Sequence, residues 1–392
     1  MQFHAAVSTE TPTHRAVQAL AAEAARRLEA PPDLAVVFFS AHHRRATPEL
    51  VAVLRDVLAP RTLLGCTGEG VIGASVEAEG VPAIALWVAR LPGVHLTPFR
   101  LRFEPGTQGD RMLGWPRQAP QASERPFFIL LADPFSTPIN ELLAFVQQEY
   151  PAAPIVGGMA SGARMPGENR LLLDDAIQAD GVVGVAVHGA IRLETVVSQG
   201  CRPIGERFLV TRAEHNVIHE LGSRPALQCL AEVFAQLPEE EKALAQQGLH
   251  VGYTIDEQKD RFGRGDFLVR NLIGIDEENG SLAIGDWIRE GQTVQFHIRD
   301  AEGAREDLRL LLEARKRVLG NDAALAALLF SCNGRGRRFF GTPHHDIRTL
   351  REHLGAIPVA GFFAQGEIGP IGPRNFLHGF TASIALFCRG NP

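Results

Sequence analysis

Lysine is nearly missing from this chain. Among 392 residues only Lys242, Lys259 and Lys316 occur, and none lies near a glycine-rich loop. With no G-x-x-x-x-G-K-[ST] segment, a P-loop nucleotidase is excluded. Cysteine is sparse too: Cys66, Cys201, Cys229, Cys332 and Cys388 are odd in number, widely spaced and free of any Cys-x-x-Cys pair. That usage fits a reducing cytoplasm. Long apolar runs are absent; the longest, such as GVVGVAVHGAI, fall well short of the ~18 residues that span a bilayer. The N-terminus, MQFHAAVSTETPTHRAV, lacks a basic flank followed by an apolar stretch, so neither secretion nor a membrane is expected. Positive charge is not in excess either. The net charge is −6 and no basic stripe interleaves with aromatics, which sets nucleic acid aside as a partner.

What is present is the composition of a soluble globular protein, 45% hydrophobic and 21% charged, at a length that suggests roughly two domains. One unit is written three times. An apolar strand (34–40, 127–133, 326–332) leads to Thr-Pro (Thr47-Pro48, Thr137-Pro138, Thr342-Pro343). A helical pattern follows, then a second strand that runs into a glycine-rich loop, then a third strand. The spacings from Thr47 to Gly65, Thr137 to Gly157 and Thr342 to Gly361 are nearly equal. Thr before Pro suits a helix start, because the hydroxyl can accept an orphan N–H and Pro loses nothing at the first helical position. Thr11-Pro12 opens a further helical stretch outside the repeat, so the first thirty residues read as an N-terminal helix.

Strand, helix and strand make a βαβ unit whose strands should run parallel. The fold class is therefore α/β: repeated βαβ-type units forming mixed sheets, with an inserted antiparallel β-rich segment in the C-terminal half. Residues 191–212 read as two strands about a Gly/Cys/Pro turn, 213–247 as mostly helical and 249–298 as strands with tight turns. An amphipathic helix, EDLRLLLEARKRVL, comes after them. The boundary falls near 205–215. Helix starts and glycine loops share one strand edge, which is where a ligand is expected.

Several local patterns carry chemistry. GEGVIG (68–73) matches G-x-G-x-x-G, yet the following ASVEAEGVPAIALWV is β-like, so the dinucleotide reading fails. In HHDIRTLREH, His344, His345, Asp346 and His353 lack ligand spacing on a helix and read as first-turn residues, with no metal site expected. A haem on a single axial histidine leaves no spacing signature and stays open, although no cofactor is expected. SCNGRGRR (331–338) is sharper: Cys332 ends an apolar strand and meets glycines, Arg335, Arg337 and Arg338. Such a setting favours a thiolate, or binds a carboxylate or phosphate through Arg forks and backbone N–H groups; the alternative is a solvated basic loop over an inert thiol. Glu69 and Glu367 follow glycines in matching loops, where they could pair with a ligand ammonium. No nucleophile elbow of the G-x-S-x-G kind supports an enzyme.

The segments SQGCRPIG (198–205), LLFSCNGRG (328–336) and GFFAQGEIGP (361–370), with GCTGEG upstream, resemble the FIST family of paired N and C sensory domains. The resemblance covers about residues 30–390 and is denser in the C-terminal half. It implies a FIST N-like domain over 31–205 and a FIST C-like domain over 206–392, in a cytoplasmic sensory module that binds a small ligand, amino acids among them. Related chains include haem-based gas sensors and an F-box substrate receptor. The signature positions carried over are Gly200, Cys201, Arg202, Pro203, Cys332, Arg335, Gly336, Gly366 and Glu367. Together with the glycine loops, the candidate ligand contacts are Gly65, Cys66, Thr67 and Glu69; Cys201 and Arg202; Cys332, Asn333, Gly334, Arg335 and Gly336; and Gln365, Gly366 and Glu367. Arg335 would meet a carboxylate and Glu367 or Glu69 an amine. With no kinase, cyclase or F-box segment in sight, output is expected through a signalling partner protein. A thiol enzyme built on Cys332 or Cys201 and a haem gas sensor are the alternatives.

Overall fold

The computed structural model describes residues 1–106, 110–259, 262–263, 265–320 and 323–390. It divides the chain into two compact units. One comprises 1–197, 309–377 and 381 onward; the other is 198–308 with 378–380. The third copy of the repeat thus belongs with the first two.

In the first unit each copy builds the same frame. The opening strands Leu34–Ser40, Phe127–Ala132 and Ala326–Cys332 pair in parallel with the inner strands Thr62–Gly68, Ile155–Met159 and Val359–Ala364. The crossovers hold helices Thr47–Leu58, Ile139–Glu149 and His345–Leu354. Return strands Ile84–Arg90, Val182–Gly189 and Thr381–Arg389 run antiparallel on the other side of the opening strands. The α/β reading is borne out in all three copies.

The glycine-rich stretches differ from the expected loops. Each contains a β-hairpin, and each hairpin leaves its own copy. Gly70–Gly73 of copy one pairs with Val359–Ala364 of copy three. Leu171–Leu173 of copy two pairs with Thr62–Gly68 of copy one. Glu367–Ile371 of copy three pairs with Ile155–Met159 of copy two. The exchange is cyclic, so three mixed sheets are completed by three borrowed hairpins. Periodicity missed them because their strands are only three to five residues long, and Gly or Pro interrupts two of them, GVIG and EIGPI.

Alternation along the opening strands explains the layers. Val36 and Phe38, Ile129 and Leu131, Leu328 and Phe330 point into one shared core, where Phe38 stacks on Phe362 at 5.1 Å between ring centroids. Residues of opposite parity, such as Ala35, Val37 and Phe39, meet the helices Thr13–Arg27 and Thr47–Leu58 instead. A strand, Gln2–Ser8, precedes the first helix and pairs with Ile84–Arg90; its Ala-rich QFHAAVS has little β signature. The Thr-Pro steps do open near helices, but no Thr caps one. Thr47 Oγ1 donates to Arg44 O at 2.6 Å and Thr137 Oγ1 to Gly181 O at 3.0 Å, so the hydroxyls tie loops down.

The second unit is an antiparallel sheet of Cys201–Glu214, Thr293–Arg299, Leu249–Thr254, Phe267–Asp276, Ser281–Ile284, Val217–Leu221 and Arg224–Pro225. Cys201–Glu214 also pairs with Val217–Leu221, which closes a barrel around Ile204, Ile218, Val251, Phe296 and Ile298. The stretch 213–247 is less helical than expected, because Val217–Leu221 is a strand and the helices begin at Ala226.

The repeated glycine of the inner strands has a physical cause. A Cβ at Gly65, Gly157 or Gly361 would lie 2.4, 1.8 or 1.7 Å from the carbonyl oxygen of Val37, Leu130 or Leu329 on the adjacent opening strand. We therefore expect Gly361→Ala to destabilise the chain by about 3 kcal/mol or more in urea unfolding. Gly372→Ala, at a left-handed hairpin turn with open space around it, should cost only about 1 kcal/mol.

Candidate functional site

The turns that follow the three inner strands interlock. Ser161 donates its N–H to Thr67 O at 3.3 Å and its hydroxyl to Phe363 O, while that hydroxyl accepts Glu69 N at 2.8 Å. Gln365 N donates to Met159 O at 3.0 Å, and Met159 N to Gly366 O at 2.8 Å. One residue or more from every copy is thus held at a common edge. Gly158 fits there because a Cβ would lie 2.9 Å from Ala364 Cβ.

Beside this edge the end of Ala326–Cys332 turns sharply. Arg335 N donates to Cys332 O at 2.8 Å, Asn333 N to Ala364 O at 2.8 Å, and Gly334 N to Cys332 Sγ at 3.4 Å. Asn333 Nδ2 reaches Glu69 Oε2 at 3.1 Å, which joins the first and third loops. Arg335 is 2% exposed and forks onto Asp346, Nε to Oδ2 and Nη2 to Oδ1, each at 2.9 Å. Ser331 Oγ donates to Asp346 Oδ2 at 2.8 Å, His345 Nδ1 lies 3.0 Å from Oδ1, and the Phe340 ring lies against both Arg335 and His345. Burial would push the Asp346 carboxyl up, but the Arg335 charge and the hydrogen bonds from His345 and Arg335 outweigh it and hold the group well below the usual carboxylate range.

Two acids arrive from the hairpin of copy one. Glu79 accepts Arg337 N at 2.9 Å and fills the space that a Cβ on Gly336 would need. Glu77 Oε1 accepts Ile347 N at 2.9 Å in the first turn of His345–Leu354, and its Oε2 has no hydrogen-bond partner. Burial first, and then the Asp346 charge, push Glu77 above the ordinary range. An open depression of about 280 Å³ beside this cluster is lined by Ser75, His344, Arg348, Arg351 and Glu352.

Glu367 is a further buried acid. It opens the hairpin of copy three opposite Gly158 and is fully buried. Its Oε2 accepts Thr381 N at 3.0 Å and Thr381 Oγ1 at 2.8 Å, whereas Oε1 meets no N–H or O–H donor. Burial raises its pKa to about 8 even though the Thr381 hydrogen bonds, the Arg335 charge and the Cys332 thiol oppose the rise. At neutral pH the carboxyl is held mostly neutral.

Family models match most of the chain: a FIST N domain over residues 33–224 and a FIST C domain over 226–370. An uncharacterized protein of Mycobacterium tuberculosis is 41% identical over 388 residues, covering 99% of this chain and all of the relative. An uncharacterized protein of Mycobacterium bovis is 44% identical over 91% of this chain and 90% of its own length. An F-box/LRR-repeat protein of Arabidopsis thaliana is 29% identical over 105 residues, 26% of this chain and 20% of that protein.

The chain belongs to the FIST family. FIST domains are sensory domains, and no helix among the described residues is long and apolar enough to cross a membrane.

Of the candidate ligand contacts singled out in the sequence, Glu69, Cys332 to Gly336 and Gln365 to Glu367 gather at the shared edge. Thr67 is buried beside it and bonds Asn169 Oδ1 at 3.0 Å. Gly65 and Cys66 lie deeper; Cys66 sits in the central core, where burial raises its thiol pKa. Cys201 and Arg202 belong to the second unit, where Arg202 binds Asp300 at 2.6 Å and Glu241 at 2.9 Å. His344, His345 and His353 each serve a local bond, to Glu77 N, Asp346 and Thr349 O. Sequence reasoning missed Asp346 as the partner of Arg335, and Glu77, Glu79, Ser161 and Thr381 altogether. The alternation Glu77-Ala78-Glu79, with Ala78 in the core, was the available signal.

A carboxyl with a raised folded pKa binds its proton in the folded chain and loses it on unfolding, so its contribution is full below about pH 4.5 and fades as pH rises through about 8. Unfolding free energy should therefore decline between pH 5 and 8, and Glu367→Gln, which mimics the neutral acid, should flatten part of that decline in urea titrations. Arg335→Met leaves Asp346 buried without its cation and should cost roughly 3–5 kcal/mol at pH 7.

Proposed function

We propose that this FIST protein is a small-ligand sensor whose polar anchor is the Cys332–Glu367 edge, and that its ligand is amino-acid-like or another small anionic metabolite. The observation that carries the reading is Glu367 Oε1, a fully buried oxygen without an N–H or O–H donor at the edge shared by three glycine-rich turns. Buried polar atoms ordinarily find partners, and an ammonium supplied by a ligand would give this one its partner. Glu69, Asn333 and Gln365, all exposed, offer polar contacts around the same edge. Arg335, forked onto Asp346, contributes its charge to the site and fixes the Cys332 turn. Signal output passes to a partner protein.

A thiol reaction at Cys332 is the second reading, favoured by the Gly334 N–H that donates to the sulfur at 3.4 Å. It requires Cys332 to be the first of the five cysteines to alkylate at neutral pH; slow labelling at every site removes it.

Thermal unfolding of the purified chain against the twenty amino acids and small carboxylic acids tests the sensor. One compound should raise Tm saturably, and Glu367→Gln should weaken it at least about tenfold. An amine ligand should also displace the Glu367 proton, so calorimetry in buffers of different ionisation enthalpy should show proton release at pH 7. A flat panel, or an unchanged response in Glu367→Gln, contradicts the proposal.

A further inference from the structure

The depression of about 280 Å³ lined by Ser75, His344, Arg348, Arg351 and Glu352 lies wholly within the first unit, and the Cys332–Glu367 edge uses none of these residues. Its volume is near the lower end for small-molecule pockets. Helix His345–Leu354 buries Ile347 and Leu350, so Arg348, Arg351 and Glu352, spaced three and four apart, share its outer side. The facing wall is the hairpin turn between Gly70–Gly73 and Val76–Glu79. Ala74 in that turn holds φ at 52°, a left-handed conformation that costs an alanine about 1 kcal/mol. Both of its backbone polar groups are tied down: Ala74 N donates to Val359 O at 2.8 Å, and Arg351 Nη1 donates to Ala74 O at 2.9 Å. The turn is thereby fixed to the helix, and Ser75 with it.

Donors dominate this lining. Arg351 gives one N–H to Ala74 O, and Arg348 Nη2 lies 3.4 Å from Pro343 O, so each guanidinium keeps further donors. His344 Nδ1 accepts Glu77 N at 3.0 Å, which places the proton of the neutral ring on Nε2 and makes that atom a donor. Ser75 adds a hydroxyl. The helix N-terminus is not part of the set, because Glu77 Oε1 already accepts Ile347 N and His344 O accepts Arg348 N. Against two Arg charges stands the Glu352 carboxylate, and among the described residues no ion pair joins it to either Arg.

We propose that Arg348 and Arg351, with the His344 Nε2–H, form an anion site that takes the carboxylate or phosphate group of a small molecule. The guanidinium groups supply charge and paired donors, the imidazole and Ser75 supply neutral donors, and Glu352 on the rim opposes the charge. This site does not rest on the ligand proposed for Glu367.

Calorimetric titration of the full chain with inorganic phosphate and with succinate, at constant ionic strength set by chloride, tests it. At least one anion should bind saturably, and the pair tells phosphate from carboxylate recognition. Arg348→Gln and Arg351→Gln should each weaken binding at least about tenfold. Arg351→Gln also loses the bond to Ala74 O, so Arg348→Gln, at an exposed position, carries the test if the other variant does not fold. Glu352→Gln should tighten binding about twofold or more. Arg26→Gln, which removes the same charge from an exposed position on the first helix, should leave affinity unchanged, as should Glu367→Gln. Absence of saturable binding by either anion, wild-type affinity in Arg348→Gln, or an equal loss in Arg26→Gln overturns the proposal.

Discussion

The hydrogen bonds between each inner strand and a hairpin supplied by another copy are the constraint on which the first unit depends. Without the hairpin, an inner strand would leave a row of N–H and C=O groups unpaired in a region where its side chains are buried. The cyclic exchange resolves this for all three strands at once. It also makes the copies interdependent, because none can complete its sheet from its own residues.

The same exchange assembles the chemistry. Glu77 and Glu79 travel on the hairpin of copy one to the Arg335–Asp346 pair of copy three. Glu367 travels on the hairpin of copy three to the strand of copy two that carries Gly158. The buried Arg335–Asp346 fork is expensive to desolvate and is satisfied through Ser331, His345 and Phe340. Its role fits positional specificity: it fixes the Cys332 turn, which in turn carries Asn333 to Glu69.

Much of this architecture was legible. Three apolar strands, three Thr-Pro steps and evenly placed glycines announced three βαβ units, and the Cys332, Gln365 and Glu69 loops were assigned to one edge. What escaped was long-range. A hairpin of strands three to five residues long has too little periodicity to register, and nothing local says which sheet will receive it. For the same reason Arg335 read as an open anion fork: its partner Asp346 lies beyond an intervening turn, in a string that read as ordinary first-turn residues. Glu367 was recognised as an acid in a glycine turn, but its burial follows only from the borrowed pairing with Gly158 and from Thr381 closing over it. The Thr47 and Thr137 hydroxyls, expected to cap helices, went to backbone carbonyls instead.

Amide hydrogen exchange on Ile72→Ala tests the central claim, since Ile72 is fully buried in the hairpin of copy one and sits opposite Gly361 of copy three. The account predicts that protection falls most in Val359–Ala364, the strand which receives that hairpin, and much less in Thr62–Gly68 of the hairpin's own copy. Loss concentrated in Thr62–Gly68, with Val359–Ala364 unchanged, would contradict the exchange of hairpins and with it the assembly of the site.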